Sequence, residues 1–264
     1  MKKFFLFLSM MVFLIFVISC EIDHGLEPVR SYIQGTIEYS GTWPGTPAEV
    51  RLVAAKQFPP TNITDLIIGE NIKPDAETLD YNFYLNPGVY KLLGVAWRES
   101  GGTWDIISIC SIYFAGTDSL VPGEIILDSD TSVVRNIDMK INRSRARRVT
   151  DSKITGEITF EGTWPDSLSD VRVIASTRGL FPRLPTLLDL SFSNSIPVNS
   201  KSATYTISAF PAEYQITGLI FFETGRNLSL ADIQYSGSIG GLSAEPYTVQ
   251  EDSIVHGPDF NIKF

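Results

Sequence analysis

Histidine and cysteine are nearly missing from this chain, with two of each in 264 residues. His24 and His256 neighbour neither cysteines nor spaced carboxylates, so the sequence lacks the ligand spacings that hold zinc. Also absent are a Gly-x-Ser-x-Gly elbow, a glycine-rich phosphate loop and a His-Glu-x-x-His pair. Glu38 and Glu161 fall on solvent faces of separate segments, too far apart to flank one scissile bond. The acidic stretch Asp118, Glu124, Asp128 and Asp130 lacks the ordered spacing of a calcium loop. The expectation is therefore a protein that is not an enzyme, with no metal and no cofactor; a hydrolase with an unrecognised site is the weaker alternative. Basic residues are outnumbered 21 to 30, for a formal charge of −9, so nucleic acid is an unfavourable partner. No segment sustains a helical period beyond one or two turns.

One long apolar run is present, and it lies at the start. MKKFFLFLSMMVFLIFVISC has two lysines, a wholly apolar stretch and small residues at its end, the layout of a secretory signal. An uncleaved membrane anchor is the alternative for a run of this length. Val17-Ile18-Ser19-Cys20 resembles the lipobox of bacterial lipoproteins. That resemblance implies a signal peptide over residues 1–19, lipidation at Cys20, and a tether over 20–31. Several acyl chains, each buried methylene adding about 0.8 kcal/mol, would hold the chain to a membrane without a spanning helix. Glu21 offers no plain inner-membrane retention signal, so the outer membrane of a bacterial envelope is the expected address. Loss of Lys2 and Lys3 takes the formal charge from −9 to −11. Cys110 then stands alone in the run Ile106 to Ile112, where a buried, unreactive thiol is expected.

The body of the chain repeats itself. GTWP occurs inside GTIEYSGTWP from Gly35 and inside GEITFEGTWP from Gly156, an offset of 121 residues. The match extends without a gap from Ile33 to Ala54 against Ile154 to Ala175. It resumes from Tyr81 against Tyr205 and closes with Asp138 against Asp259. A period this long suits a whole domain rather than a solenoid repeat. Expected boundaries are a first β-sandwich over 32–143, an arginine-rich linker over 144–151 and a second β-sandwich over 152–264.

Each copy alternates as strands do. Ile33, Gly35 and Ile37 face one way while Thr36 and Glu38 face the other, and Ile154, Gly156, Ile158 and Phe160 do the same. Val50, Leu52, Ala54 and then Tyr81, Phe83, Leu85 continue the period, with Asn86-Pro87-Gly88 as a turn. Several short strands in about 110 residues indicate an all-β sandwich. A Gly-x-Ile strand, a Val-Arg-Val-type strand and Tyr81 to Tyr90 together resemble the carboxypeptidase regulatory-like domains of the transthyretin-like (prealbumin-like) sandwiches. The second copy departs from that pattern with Pro211-Ala212 at the turn. Fibronectin-type and immunoglobulin-like sandwiches remain open alternatives. In carboxypeptidases the resembling domain is accessory to a catalytic one, which implies a non-enzymatic scaffold or partner-binding role here.

Three groups are candidate site residues. Trp43 and Trp164 precede prolines at strand ends. Each can plug one end of a sandwich, its N–H on a backbone carbonyl, or can stack on a sugar with loop aromatics such as Phe58 or Phe181, making a polysaccharide the alternative partner. Tyr90 and Tyr214 follow turns in the manner of a tyrosine corner. Arg143, Arg145, Arg147 and Arg148 are either linker charges paired with nearby surface or a patch for an acidic envelope protein or lipopolysaccharide phosphate.

Overall fold

The computed structural model describes residues 30–117, 119–179, 185–225, 233–235 and 246–264; the leader, Cys20, most of the tether, Asp118 and Phe181 lie outside them. The described residues are all-β, punctuated by short 3-10 turns. The first half contributes β1 (Tyr32–Ser40), β2 (Pro47–Ala55), β3 (Ile67–Asn71), β4 (Thr78–Tyr84), β5 (Gly88–Tyr90), β6 (Leu92–Glu99), β7 (Ile109–Ile112), β8 (Ile125–Leu127), β9 (Val133–Val134) and β10 (Met139–Asn142). The second contributes β11 (Lys153–Glu161), β12 (Leu168–Ser176), β13 (Leu190–Phe192), β14 (Ser202–Ser208), β15 (Ala212–Tyr214), β16 (Ile216–Glu223), β17 (Ile233–Tyr235), β18 (Tyr247–Val249), β19 (Ile254–His256) and β20 (Phe260–Lys263).

The repeat in sequence is a repeat in topology. β1 lies between antiparallel β4 and parallel β9 and β10, as β11 lies between antiparallel β14 and parallel β19 and β20. A second sheet runs β3-β2-β6-β7 in one half and β13-β12-β16-β17 in the other, and the small pair β5-β8 corresponds to β15-β18. Period-two patterning sends Ile33, Ile37, Val50, Leu52 and Phe83 into the first core, and Ile154, Ile158, Val171, Val173 and Ile207 into the second.

Two devices recur at matched positions. Opposite Gly35 stands Tyr81, whose hydroxyl donates to the Ile137 carbonyl at 2.7 Å; opposite Gly156 stands Tyr205, donating to Pro258 at 2.8 Å. The glycines are required by space. A Cβ on Gly35 would lie 2.0 Å from the Ile137 oxygen, and one on Gly156 would lie 2.6 Å from the Tyr205 ring. Asp138 and Asp259 accept from the backbone N–H of Thr36 and Glu157, both at 2.8 Å, pinning the returning chain to the opening strand.

The outer faces of the β2 and β12 sheets are also apolar. Val53, Leu92 and Ile112 from the first half meet Ile174, Leu190 and Ile220 from the second in a third core. Burying an aliphatic side chain of this size contributes about 1.5–3 kcal/mol, so the two sandwiches are joined along this seam.

Candidate functional site

The seam opens into a cavity of about 520 Å³, with Phe58, Pro60 and Ile63 on one side and Leu188 and Phe192 on the other. Phe58 meets Phe192 edge to face, ring centroids 6.1 Å apart, so the proline-rich loop ends on the second sandwich. Three polar side chains at the cavity, Asp105, Ser208 and Arg147, bond within the chain. Asp105 accepts from the Ile107 N–H at 3.1 Å and from Ser208 Oγ, across the seam, at 3.2 Å. Arg147 donates to the Leu188 carbonyl and lies over the Phe210 ring at 4.0 Å. Burial pushes its guanidinium down to about 10, which leaves it charged at neutral pH.

Arg172 is a buried polar tie across the seam. Only 4% of its side chain is exposed. Nε meets Asp170 at 2.7 Å, Nη1 donates to the Pro60 carbonyl at 3.0 Å, and Nη2 to Thr61 Oγ1 at 3.3 Å. The matched Arg51 pairs with Glu49 at 2.6 Å but donates to Gly69 within its own half at 2.9 Å. The role of Arg172 was not assigned from sequence. Its signal is an acid two residues earlier in each copy, on the same strand face.

Arg143, Arg145 and Arg147 are partly buried, while Arg148 is exposed. Arg143 lies over the Tyr39 ring at 4.7 Å and Trp43 at 6.0 Å, and donates to the Ala76 carbonyl at 2.5 Å. Arg145 meets Asp189 of the second half at 2.5 Å, and Arg148 meets Glu99 of the first at 2.9 Å. Ala146 between them is buried in the first core, so this segment is packed rather than simply solvated. Burial opposes the charge on Asp189, yet the Thr186 N–H and hydroxyl, with Arg145 and Arg178, hold its carboxyl below the ordinary value.

Both hairpin tryptophans are half-buried against their cores, and both N–H groups are used. Trp43 Nε1 donates to Pro74 at 3.2 Å and its ring stacks on Trp97, 9° from parallel. Trp164 Nε1 donates to Ser200 at 3.1 Å, with Phe160 and Phe264 at 4.4 and 4.8 Å. Tyr90 donates to the Asn86 carbonyl at 2.6 Å, and the Tyr214 hydroxyl reaches the backbone of Phe210 at 3.2 Å. Burial pushes the Cys110 thiol up to about 12. Glu38 and Glu161 are exposed in different halves, on Lys140 at 3.4 Å and Lys263 at 3.0 Å. His256 is exposed, 3.3 Å from Asp259. Among the described residues no group of three or more His, Cys, Asp or Glu side chains is placed to hold a metal ion.

These geometries define an all-β protein of paired sandwiches whose distinctive polar residues are spent on its own assembly. No protein-family model and no curated protein matches the chain. Among solved structures it is similar to a leucine-rich repeat protein from Bacteroides thetaiotaomicron, at 14% identity and TM-score 0.38, over 88% of this chain and 26% of that one. It is similar to the tip fimbrial protein Mfa3 from Porphyromonas gingivalis at 10% identity and TM-score 0.24, over 84% and 91%. The minor pilin GBS52 of Streptococcus agalactiae matches at 12% and 0.21, over 87% and 95%. The chain spans about a quarter of the leucine-rich repeat protein. At these TM-scores the likeness carries nothing about function.

Proposed function

We propose that this chain is a non-catalytic lipoprotein of the bacterial cell envelope, held by lipid at Cys20 to the outer membrane, and that it acts as a structural or partner-binding module. Its signal peptide covers 1–19, its tether 20–31, and its sandwiches 32–143 and 152–264, joined by 144–151. Duplication of one carboxypeptidase regulatory-like unit accounts for matched strands, glycines and tyrosines in the two halves. The observation that carries the reading is the seam. Arg145, Arg147 and Arg172 bind the two halves together, so the molecule presents its loops as one body. The indole contacts weigh against glycan stacking, because each ring already rests on aromatics of its own sandwich.

The test is metabolic labelling of the full chain with radioactive palmitate in a bacterial host, followed by membrane fractionation. The wild type takes up label and sediments with outer membranes, and Cys20→Ser takes up none. Label on Cys20→Ser, or absence of label from the wild type, removes the lipoprotein reading. Turnover by the purified chain on a panel of esters, peptides or glycosides removes the non-catalytic one.

A further inference from the structure

The first sandwich carries an exposed apolar strip that the second does not share. Tyr84, Tyr32 and Val133 stand side by side across β4, β1 and β9 and point outward from the sheet. Tyr84 is 55% exposed and Val133 38%, and the two tyrosine rings are 5.5 Å apart. The matched positions in the second half are Ser208, Lys153 and Ile254. Identical backbone pairing there tolerates a serine and a lysine, so the fold does not demand the tyrosines.

The strip lies where the chain enters the sheet. Ser31 is tied to Leu85 by the Leu85 N–H at 3.1 Å and by its own hydroxyl. Beside it is an open depression of about 620 Å³ lined by Arg30, Asp130, Ile67 and Tyr84. Ile67 is 39% exposed. Ten residues, Cys20 to Val29, separate this rim from the lipidated sulfur, a span of at most about 35 Å.

We propose that this rim lies on the membrane surface and receives zwitterionic phospholipid, a proposal that rests on the lipid-anchor reading above. Tyrosine suits the interface because its ring is apolar and its hydroxyl stays wet. Arg30 takes the lipid phosphate and Asp130 the ammonium of a phosphatidylethanolamine head group. Zwitterionic rather than anionic lipid is favoured because the mature chain carries a formal charge of −11, that is, −9 less the two leader lysines.

The test uses the mature lipidated chain on phosphatidylethanolamine–phosphatidylcholine vesicles. Cys110 is buried, so a thiol-reactive environment-sensitive dye labels an introduced cysteine selectively. The dye is placed by Val133→Cys or, as the matched control, by Ile254→Cys. Nitroxide-bearing lipid is expected to quench the dye at position 133 at least about twofold more strongly than at 254. Adding Tyr32→Lys and Tyr84→Ser, the residues the second sandwich carries, lowers quenching at 133 to the control level while the chain still floats with vesicles. Equal quenching at 133 and 254 on floating protein overturns the contact and leaves the anchor intact. Failure of the wild type to float overturns both. Stronger quenching on phosphatidylglycerol vesicles overturns the assignment to zwitterionic lipid.

Discussion

Arg172 Nη1 donates to the carbonyl oxygen of Pro60 at 3.0 Å, a hydrogen bond that crosses from the second sandwich to the first. The side chain is almost fully buried and its charge is balanced by Asp170, which also accepts from Ser195 at 2.6 Å. A buried guanidinium with donors committed on both sides makes the seam specific as well as apolar, because a shifted docking would leave its Nη1 and Nη2 donors without the Pro60 and Thr61 acceptors.

Arg172→Ala is expected to lower the stability of the full chain by about 1.5–3 kcal/mol, the range for hydrogen bonds to charged groups. Urea unfolding followed by tryptophan emission reads the loss, and uncoupled halves separate into two transitions. A midpoint equal to that of the wild type rejects the clamp.

Trp164→Ala is expected to cost about 3 kcal/mol, at the low end for a large aromatic because the ring is half-buried. The summed emission of the four tryptophans of the intact wild-type chain should stay constant on addition of polysaccharides. An unchanged melting temperature, or a response to one glycan class, restores the stacking role.

Asp189 makes a pH prediction. Its carboxyl is held below the ordinary 3.8, so it binds protons more readily in the unfolded chain. Its contribution is therefore present in full above that value and is lost as pH falls through the lower folded one. Asp189→Asn should be less stable than wild type at neutral pH, and the gap should close below about pH 3.8. A gap independent of pH means that the ion pairs with Arg145 and Arg178 contribute nothing.

The strands of both halves were legible because alternation is a local property: Ile33, Gly35 and Ile37 announce a buried face without reference to any other segment. Tyr90 and Tyr214 were legible for the same reason, each finding its partner four residues away. The seam was harder to read. Val53 and Ile174 sit between inward-facing residues, in the runs Leu52–Ala55 and Val173–Ala175, and such runs mark strands covered on both faces without saying by what. The arginines of 143–148 were visible as charge, but their acceptors at Ala76, Leu188 and Asp189 are scattered along the chain.

By itself the sequence determined the β class, the repeat and the inward faces of the opening strands, since period and composition suffice for these. Only the tertiary structure decided that the outer faces of β2 and β12 meet, that Arg172 clamps the Pro60 loop, and that Tyr32, Tyr84 and Val133 align across β1, β4 and β9. Those relationships join residues tens to more than a hundred positions apart, and packing of whole sheets, rather than any local preference, brings them together.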